Sequence, residues 1–315
     1  MYGLDDVTKE TTEPHAHSEP SPRASPAARE ASLRTAKRWL GRTILYLTLI
    51  FLALIFLVPF LWMFFSSFKT LPEIFQHVYP LSWRTFIPEE FTLDAYRRLL
   101  ELRPFPITRY VGNSLLVASS VTLLSLAVNA PAAYAFARLE FPGRQFLFVL
   151  ILSTMIVPFE VLIIPLFVEM QILGWVNTFQ ALIIPWIANA FMIFLLRQFF
   201  QEIPRELEDA ARIDGCTYFG SFWNVVLPNS VPALVTVALI RFQASWDSFV
   251  WPLVAAPAPE VRVIQLAIAS FVTEVEILWD LTFAASTIAT VPVIVLFLLL
   301  QRYYVAGIVR SGLKG

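Results

Sequence analysis

Seven polar or aromatic residues lie in or beside long apolar runs of the chain, where a polar group is costly unless it has a partner. All seven are candidates for a solute path: Glu160, Asn189, Arg241, Gln243, Trp246, Asp247 and Trp251. Sugars are bound by hydrogen bonds and by apolar packing on a ring face, so the segment "RFQASWDSFVW" at 241–251 has suitable chemistry for a sugar path. A structural interpretation is equally consistent, with Arg241 paired to Glu160 or Asp247 only to order the helices.

Sequence motifs for catalysis are missing from the chain. No histidine is followed by glutamate, so the HExxH zinc motif is absent, and GxSxG does not occur. A P-loop needs Gly-Lys to hold phosphates, and none of the four lysines follows a glycine. One cysteine and three scattered histidines cannot form a metal cluster. We therefore expect no catalytic residue, no metal and no cofactor bound by this chain.

The composition predicts the class of protein. Hydrophobic residues make up 57% of the 315 residues, charged residues only 15%, and the mean hydropathy is +0.65. Soluble proteins carry roughly a quarter charged residues, so these values predict an integral membrane protein. The net charge of -1 leaves no basic stripe for phosphates, which excludes nucleic acid as a partner.

Six apolar runs are long enough to span a bilayer, which takes about 20 residues. They lie at 43–65, 111–137, 145–168, 179–199, 231–255 and 281–304. We therefore predict an all-α polytopic membrane protein with a six-helix domain over residues 34–315. Residues 1–33, rich in Pro, Ser, Ala, Glu and Thr, are predicted to be a disordered tail.

The basic residues predict the orientation in the membrane. Fifteen of the 23 Lys and Arg residues lie in the N-terminal segment, in 138–144, in 197–230 and in the C-terminal tail. Basic residues accumulate on the cytoplasmic side, so both termini are predicted to be cytoplasmic. The segment 256–279 is then predicted to lie outside.

A polar segment, residues 204–230, separates the fourth and fifth runs, and we call it the hairpin. Pro204 suits a first helical position, and Gly215 suits the left-handed residue that ends a helix. The helix dipole favours the acidic residues of the first turn: Glu206, Glu208 and Asp209. Four apolar residues then recur at helical spacing as an aromatic ridge: Phe219, Phe222, Trp223 and Val226. An acidic helix followed by this ridge predicts docking into the groove of a cytoplasmic partner rather than a basic helix lying on lipid.

The segment "ELEDAARIDG", followed by "F" and "LP", resembles the EAA-loop signature of binding-protein-dependent ABC importer permeases. From about residue 40 onward the chain resembles the maltose-type sugar permeases of that family. The similar segments lie at 113–118, 165–178, 190–200, 245–253 and 312–315. In the family this loop is a coupling helix that docks into a cleft of a cytoplasmic ATPase.

The resemblance assigns the contact with the ATPase to eight residues of the hairpin: Glu206, Asp209, Ala210, Ala211, Asp214, Gly215, Phe219 and Pro228. Two positions depart from the family pattern. Asp209 stands where the family usually has Glu, and Cys216 stands where it usually has a small residue such as Ala. Asp keeps the charge but is one methylene shorter, so the contact geometry differs.

The resemblance implies the type I ABC importer permease fold and a sugar or oligosaccharide permease in the cytoplasmic (inner) membrane of a prokaryote. The implied partners are a second homologous permease, two ATPase subunits that bind ATP and Mg²⁺, and an extracytoplasmic solute-binding protein. The segment 256–279 would approach that binding protein, or else pack as a re-entrant segment. Alternatives for the function are an ion-driven secondary transporter and an importer permease for a glycerol-phosphate-type solute.

Overall fold

The computed structural model describes the backbone of residues 26–76, 78–79, 82–273 and 277–312, most of which are helical. Fifteen α-helices follow one another within these ranges: α1 (Pro26–Ser66), α2 (Leu71–Gln76), α3 (Asp94–Leu100), α4 (Ile107–Arg138), α5 (Arg144–Ser153), α6 (Phe159–Ile172), α7 (Phe179–Ile183), α8 (Ala190–Glu202), α9 (Arg205–Ile213), α10 (Tyr218–Ser221), α11 (Leu227–Asn229), α12 (Val231–Trp246), α13 (Val250–Ala255), α14 (Ile264–Ala269) and α15 (Trp279–Gly312). Short 3₁₀ turns lie at Trp83–Thr85, Thr154–Ile156 and Ile184–Trp186, and a π-helix lies at Phe222–Val226.

The chain divides into two compact units, residues 1–58 and 59–315. The described residues of the first unit belong to α1, which begins at Pro26. Helical structure therefore starts inside 1–33, the segment predicted to be disordered, and residues 1–25 of that tail lie outside the described residues. The hairpin and the candidate solute path belong to the second unit.

Three helices in the described ranges are long and apolar enough to cross a membrane without a break: Lys37–Ser66, Ile107–Arg138 and Trp279–Arg302. They match the first, second and sixth predicted runs. Three further candidates are helix pairs bent at a short break: Arg144–Ile156 with Phe159–Ile172 by 100°, Phe179–Trp186 with Ala190–Glu202 by 43°, and Tyr218–Asn229 with Val231–Trp246 by 80°. The described chain therefore has three continuous spans, and up to six if each bent pair is one span.

Prolines account for two of the interruptions in the predicted runs. Val157 is extended, with ψ of 117°, because a residue before proline avoids the helical region, and α5 and α6 separate here at Pro158. The fifth predicted run, 231–255, is also not one helix, since α12 ends at Trp246 and α13 begins at Val250. The ring of Pro252 would clash with the carbonyl of Ser248 in a continuous helix, so the chain stops and restarts before it.

Helix α4 is the central helix of the second unit and packs against both α8 and α12. Three buried clusters follow one another along it. Near its start, Ile107 and Tyr110 pack with residues of α3, α12, α14 and α15. Val117 and Val121 pack with residues of α6, α7 and α13. Near its end, Tyr134 packs with residues of α8 and of the hairpin. One continuous helix therefore connects all three clusters.

The segment between α13 and α15 is fixed onto α4. Asn113 Nδ2 donates to the carbonyls of Glu260 (3.0 Å) and Arg262 (2.9 Å), and Ser114 Oγ accepts from the backbone N–H of Ile264 (2.8 Å). Helix α14 buries Ile264 and Leu266. The described part of 256–279 therefore packs on the helical core, as expected for a packing segment, while residues 274–276 lie outside the described residues.

A buried lysine holds the segment between α2 and α3. Lys69 Nζ donates to the carbonyls of Arg84 (2.8 Å) and Thr85 (2.9 Å), and the lysine is 1% exposed. Burial lowers the pKa of this ammonium group, and the carboxylates of Glu73 and Glu89 oppose the shift. The lysine therefore orders a stretch with little regular structure.

Candidate functional site

The hairpin begins with a short helix whose two ends follow the local sequence. Pro204 is the residue before α9 rather than its first residue, and α9 ends at Ile213. Gly215 has φ of 90°, its N–H donates to the carbonyl of Arg212, and the N–H of Cys216 donates to that of Ala211. These two bonds form a Schellman motif, so the predicted glycine stop is confirmed.

A buried carboxylate fixes α9 to the end of α4. Glu208 is 7% exposed, and its Oε1 lies 2.7 Å from Arg138 Nε. The hydroxyl of Tyr134 donates to Glu208 Oε2 at 2.9 Å, and Arg138 Nη2 donates to the carbonyl of Ile203. Tyr134 and Arg138 are four residues apart and therefore share a face of α4. A buried ion pair with further hydrogen bonds ties the hairpin rigidly to a continuous membrane-spanning helix.

Sequence reasoning missed this role of Glu208. The sequence alone groups Glu208 with Glu206 in the acidic first turn, and Glu206 is exposed. Nothing in the local sequence separates the two carboxylates. The i, i+4 pair Tyr134 and Arg138 at the end of α4 is the only signal, and it becomes informative only when α9 is known to lie against it.

The predicted contact residues of the hairpin lie mostly on its free surface. Seven of the eight are exposed and Ala211 is half-buried: Glu206, Asp209, Ala210, Ala211, Asp214, Gly215, Phe219 and Pro228. Tyr218 further closes the turn, because its hydroxyl accepts from Arg212 Nη2 at 2.9 Å and its ring lies under the guanidinium. The surface is therefore both available to a partner and held in a defined shape.

The aromatic ridge does not face one way, which corrects the prediction of a single ridge offered to a partner. Phe222 and Val226 are 2% and 0% exposed, and the Phe222 ring lies 5.1 Å from that of Tyr134. Phe219 and Trp223 are 65% and 54% exposed. The π-helix at Phe222–Val226 has a wider turn than an α-helix, which changes the face that each position takes. Half of the ridge therefore anchors the hairpin, and half remains free.

A cavity of about 220 Å³ lies beside α12. Its wall combines aromatic, small and hydroxyl side chains with one cation: Val117, Phe159, Leu182, Trp186, Arg241, Ala244, Ser245, Ser248, Trp251, Pro252 and Val263. Three aromatic rings meet here edge to face, with centroids 5.1 Å apart for Phe159 and Trp186 and 6.1 Å apart for Trp186 and Trp251. Aromatic, hydroxyl-bearing and guanidinium side chains therefore line one cavity.

Arg241 is the charged group of this wall. Its Nη2 donates to the carbonyl of Trp186, which also accepts from Ser125 Oγ, and its Nε is buried without a hydrogen-bond partner. Within the ranges that the structure covers, no carboxylate lies within 4.0 Å of this guanidinium. The alternative of an ion pair with Glu160 or Asp247 is therefore wrong for this arrangement.

The structure brings only two of the seven predicted path residues, Arg241 and Trp251, to the cavity. Trp251 Nε1 donates to the carbonyl of Ala181 at 2.8 Å, so its ring is held in place. Trp246 is buried instead against Phe242, with stacked rings 5.8 Å apart.

The other four predicted residues lie outside the cavity wall. Asn189 Oδ1 accepts from the N–H of Met192 and caps α8. Gln243 Nε2 donates to Asp247 Oδ2, and both residues are exposed. Glu160 is exposed in the first turn of α6.

Two serines of the wall were missed. Ser245 stands four residues after Arg241 on the same face of α12, whereas Ser248 lies in the break between α12 and α13. Trp246 is not part of the wall. Helical periodicity counted from Arg241 indicates Ser245, but it does not indicate Ser248, which lies beyond the end of α12. Trp186 and Phe159 come from other helices and carry no such signal.

Comparison with known proteins gives a consistent result. Residues 129–310 match the family model described as binding-protein-dependent transport system inner membrane component. The chain is 35% identical over 82% of its length to the arabinooligosaccharides transport system permease protein AraQ of Halalkalibacterium halodurans, covering 91% of that protein. It is 35% identical over 88% of its length to the trehalose/maltose transport system permease protein MalG of Thermococcus litoralis, covering 98% of that protein.

A solved structure supports the fold. The chain resembles a subunit in the crystal structure of a bacterial ABC transporter involved in the import of the acidic polysaccharide alginate, with a TM-score of 0.71 and 24% identity. The match covers 90% of this chain and 100% of that chain. At this identity the likeness concerns the architecture of the helices.

Proposed function

Because the chain belongs to the family of binding-protein-dependent transport system inner membrane components, we propose that it is a permease subunit of an ATP-driven ABC importer for a sugar or oligosaccharide. The names of AraQ and MalG, two relatives that align over most of their length, support a saccharide as the solute. The cavity agrees with this class, because hydroxyls and aromatic ring faces are the groups that bind sugars.

The observation that carries the proposal is the construction of the hairpin. Its outer surface is exposed and bears acidic and aromatic residues, while Glu208 anchors its inner surface to α4 through Arg138. A partner that moves the hairpin therefore moves a membrane-spanning helix as a rigid body. The proposed partner is an ATPase that contacts the eight residues from Glu206 to Pro228 assigned above.

The complete importer would contain this chain, a second homologous permease, two ATPase subunits and an extracytoplasmic solute-binding protein. ATP and Mg²⁺ would be bound by the ATPase subunits, and this chain would bind no cofactor. The distribution of Lys and Arg supports a multi-pass protein of the inner membrane of a prokaryote with both termini in the cytoplasm. The hairpin would then lie on the same side as the ATPases.

The test is Gly215→Val in the complex reconstituted in vesicles with its partners. A Cβ at Gly215 would meet nothing within 4 Å, so the effect comes from the φ of 90°, which costs a β-branched residue about 1–2 kcal/mol. We expect ATP-driven uptake to fall about 5- to 30-fold as the turn distorts. Gly174→Val is the matched control, since Gly174 has φ of 69°, equally open surroundings and a place outside the hairpin.

Two outcomes would contradict the proposal. A purified chain that never brings a nucleotide-binding subunit with it would argue for a transporter of another class. An assembled Gly215→Val complex that couples ATP hydrolysis to uptake as well as the wild type would show that the hairpin does not transmit the motion.

A further inference from the structure

The cavity beside α12 carries a positive charge that its own wall does not neutralise. Arg241 is the charged member of the lining, and the rest of the wall is apolar, aromatic or hydroxyl-bearing. A charge among membrane-spanning helices is costly, and such residues normally pair or face a functional cavity. In the described part of the chain no carboxylate reaches this one.

The guanidinium is positioned but not saturated. A guanidinium has five N–H donors. In Arg241 a donor on Nη2 is bonded to the carbonyl of Trp186, and this bond fixes the group at the cavity wall. The Nε is buried and has no hydrogen-bond partner. Because the Nε is closed to solvent, a ligand in the cavity would accept hydrogen bonds from the Nη groups of Arg241 rather than from its Nε.

The residues around Arg241 in the cavity wall indicate what the uncharged part of the ligand should be. Two tryptophans, Trp186 and Trp251, and two serines, Ser245 and Ser248, line the same space. A volume of about 220 Å³ is below the roughly 300–1,000 Å³ of sites for drug-sized ligands, so the cavity suits one ring rather than an oligomer.

We propose that this cavity binds a single sugar unit that carries a carboxylate, with the carboxylate on Arg241 and the ring against the two tryptophans. The fork of a guanidinium matches the two oxygens of a carboxylate, and one cation balances one negative charge. A doubly charged phosphate would leave one charge unbalanced in a largely apolar wall. This inference rests on the proposed function and specifies the solute class at the cavity of that same chain.

The test measures the equilibrium dissociation constants of sugars for the assembled permease–ATPase complex in nanodiscs. The solute-binding protein is omitted because its own specificity would mask that of the cavity. Three acidic sugars, D-glucuronate, D-galacturonate and D-mannuronate, are each compared with the neutral hexose of the same ring. We expect at least one acid to bind about tenfold or more tighter than its neutral counterpart, as one charge-assisted bond allows. Arg241→Gln should abolish that preference, and Arg241→Lys should retain part of it because the charge stays.

Arg197→Gln is the matched control. Arg197 is also a half-buried arginine in a predicted span whose Nε donates to a backbone carbonyl, that of Phe136, but it does not line the cavity. We expect this variant to keep the preference for the acid.

The inference is overturned if no acid is preferred by the wild-type complex, or if the preference survives in Arg241→Gln. It is also overturned if Arg241→Gln specifically loses the second permease on purification, because a carboxylate of that partner would then be the missing counterion. In each of these cases ATP-driven uptake of a neutral sugar by the wild-type complex would leave the proposed function standing.

Discussion

Arg138 and Arg241 are two arginines at helical positions with opposite electrostatic surroundings. Each donates one hydrogen bond to a backbone carbonyl outside its own helix, that of Ile203 for Arg138 and that of Trp186 for Arg241. Arg138 also meets the carboxylate of Glu208 at 2.7 Å, whereas Arg241 meets no carboxylate in the described residues.

The difference distinguishes a structural contact from a candidate binding site. We call the contact of Glu208 with Tyr134 and Arg138 the joint. At the hairpin, the ion pair and the hydrogen bonds are made within the chain, so removing either charged group, Arg138 or Glu208, leaves the other buried without its counterion. At the cavity, one hydrogen bond to the carbonyl of Trp186 positions the guanidinium of Arg241, and no carboxylate of the described residues neutralises its charge. Substitutions at the joint should therefore affect stability strongly, and substitutions at the cavity should affect binding more than stability.

The largest effect is expected for Glu208→Ala. This change leaves the guanidinium of Arg138 buried without its counterion, which typically costs about 3–5 kcal/mol. We expect a marked drop in the unfolding temperature of the protein purified in detergent. Glu206→Ala, in the same first turn but exposed, should unfold at the wild-type temperature. Equal unfolding temperatures for the two variants would contradict the claim that Glu208 stabilises the joint while Glu206 does not.

The divided ridge gives the second prediction. Phe222→Ala empties a site against Tyr134 and should lower the free energy of unfolding by about 3 kcal/mol. Phe219→Ala removes an exposed ring and should leave stability unchanged, while it weakens binding of the ATPase by about 2 kcal/mol if the ring is an interface anchor. Unfolding curves and ATPase titrations on both variants measure the two effects. A strong loss of stability in Phe219→Ala would contradict the division of the ridge.

Tyr134→Phe should have an intermediate effect. It deletes one hydrogen bond to the carboxylate of Glu208 but keeps the ion pair, so a loss of about 1.5–2 kcal/mol is expected. Tyr110→Phe, at the other buried end of α4, serves as the control in the same thermal measurement. If both variants behave alike, the hydroxyl of Tyr134 does not support the joint.

Among the substitutions that remove a group tied to another helix, the smallest change in stability is expected for Arg241→Met. No carboxylate of the described chain is left unpaired, and the carbonyl of Trp186 keeps the hydroxyl of Ser125 as a donor. The unfolding free energy should change by less than about 1 kcal/mol. A drop as large as that of Glu208→Ala would mean that Arg241 is also part of a closed joint, and the comparison would fail.

Local features of the hairpin could be predicted because they depend on neighbouring residues. The end of α9 at Gly215 needs a residue that tolerates positive φ, and the bonds that close the turn run between residues five or fewer positions apart. Composition likewise predicts the continuous spans, since a run of apolar residues suits lipid whatever its neighbours are. The bent pairs were predicted only as runs, because hydropathy does not record where a helix breaks.

The path residues show the opposite case. Seven positions were predicted to line a path because they are polar or aromatic residues in apolar runs. A polar residue can have another role in such a run: Asn189 caps a helix, and Gln243 and Asp247 form an exposed hydrogen-bonded pair. Helical spacing from Arg241 indicates Ser245, which shares its face of α12, but not Ser248, which follows the end of that helix. Trp186 could not be found in this way, because it reaches the cavity from a different helix.

The amino-acid sequence by itself determined the membrane class, the length of the continuous spans, the limits of the short hairpin helix and the resemblance to importer permeases. These properties follow from composition and from interactions between residues close in the chain. The tertiary structure decided that Glu208 is buried while Glu206 is free, and that Arg241 lacks a carboxylate. Both depend on which helices pack together, and the free energy of a charge depends on the groups that surround it in space rather than on its neighbours in sequence.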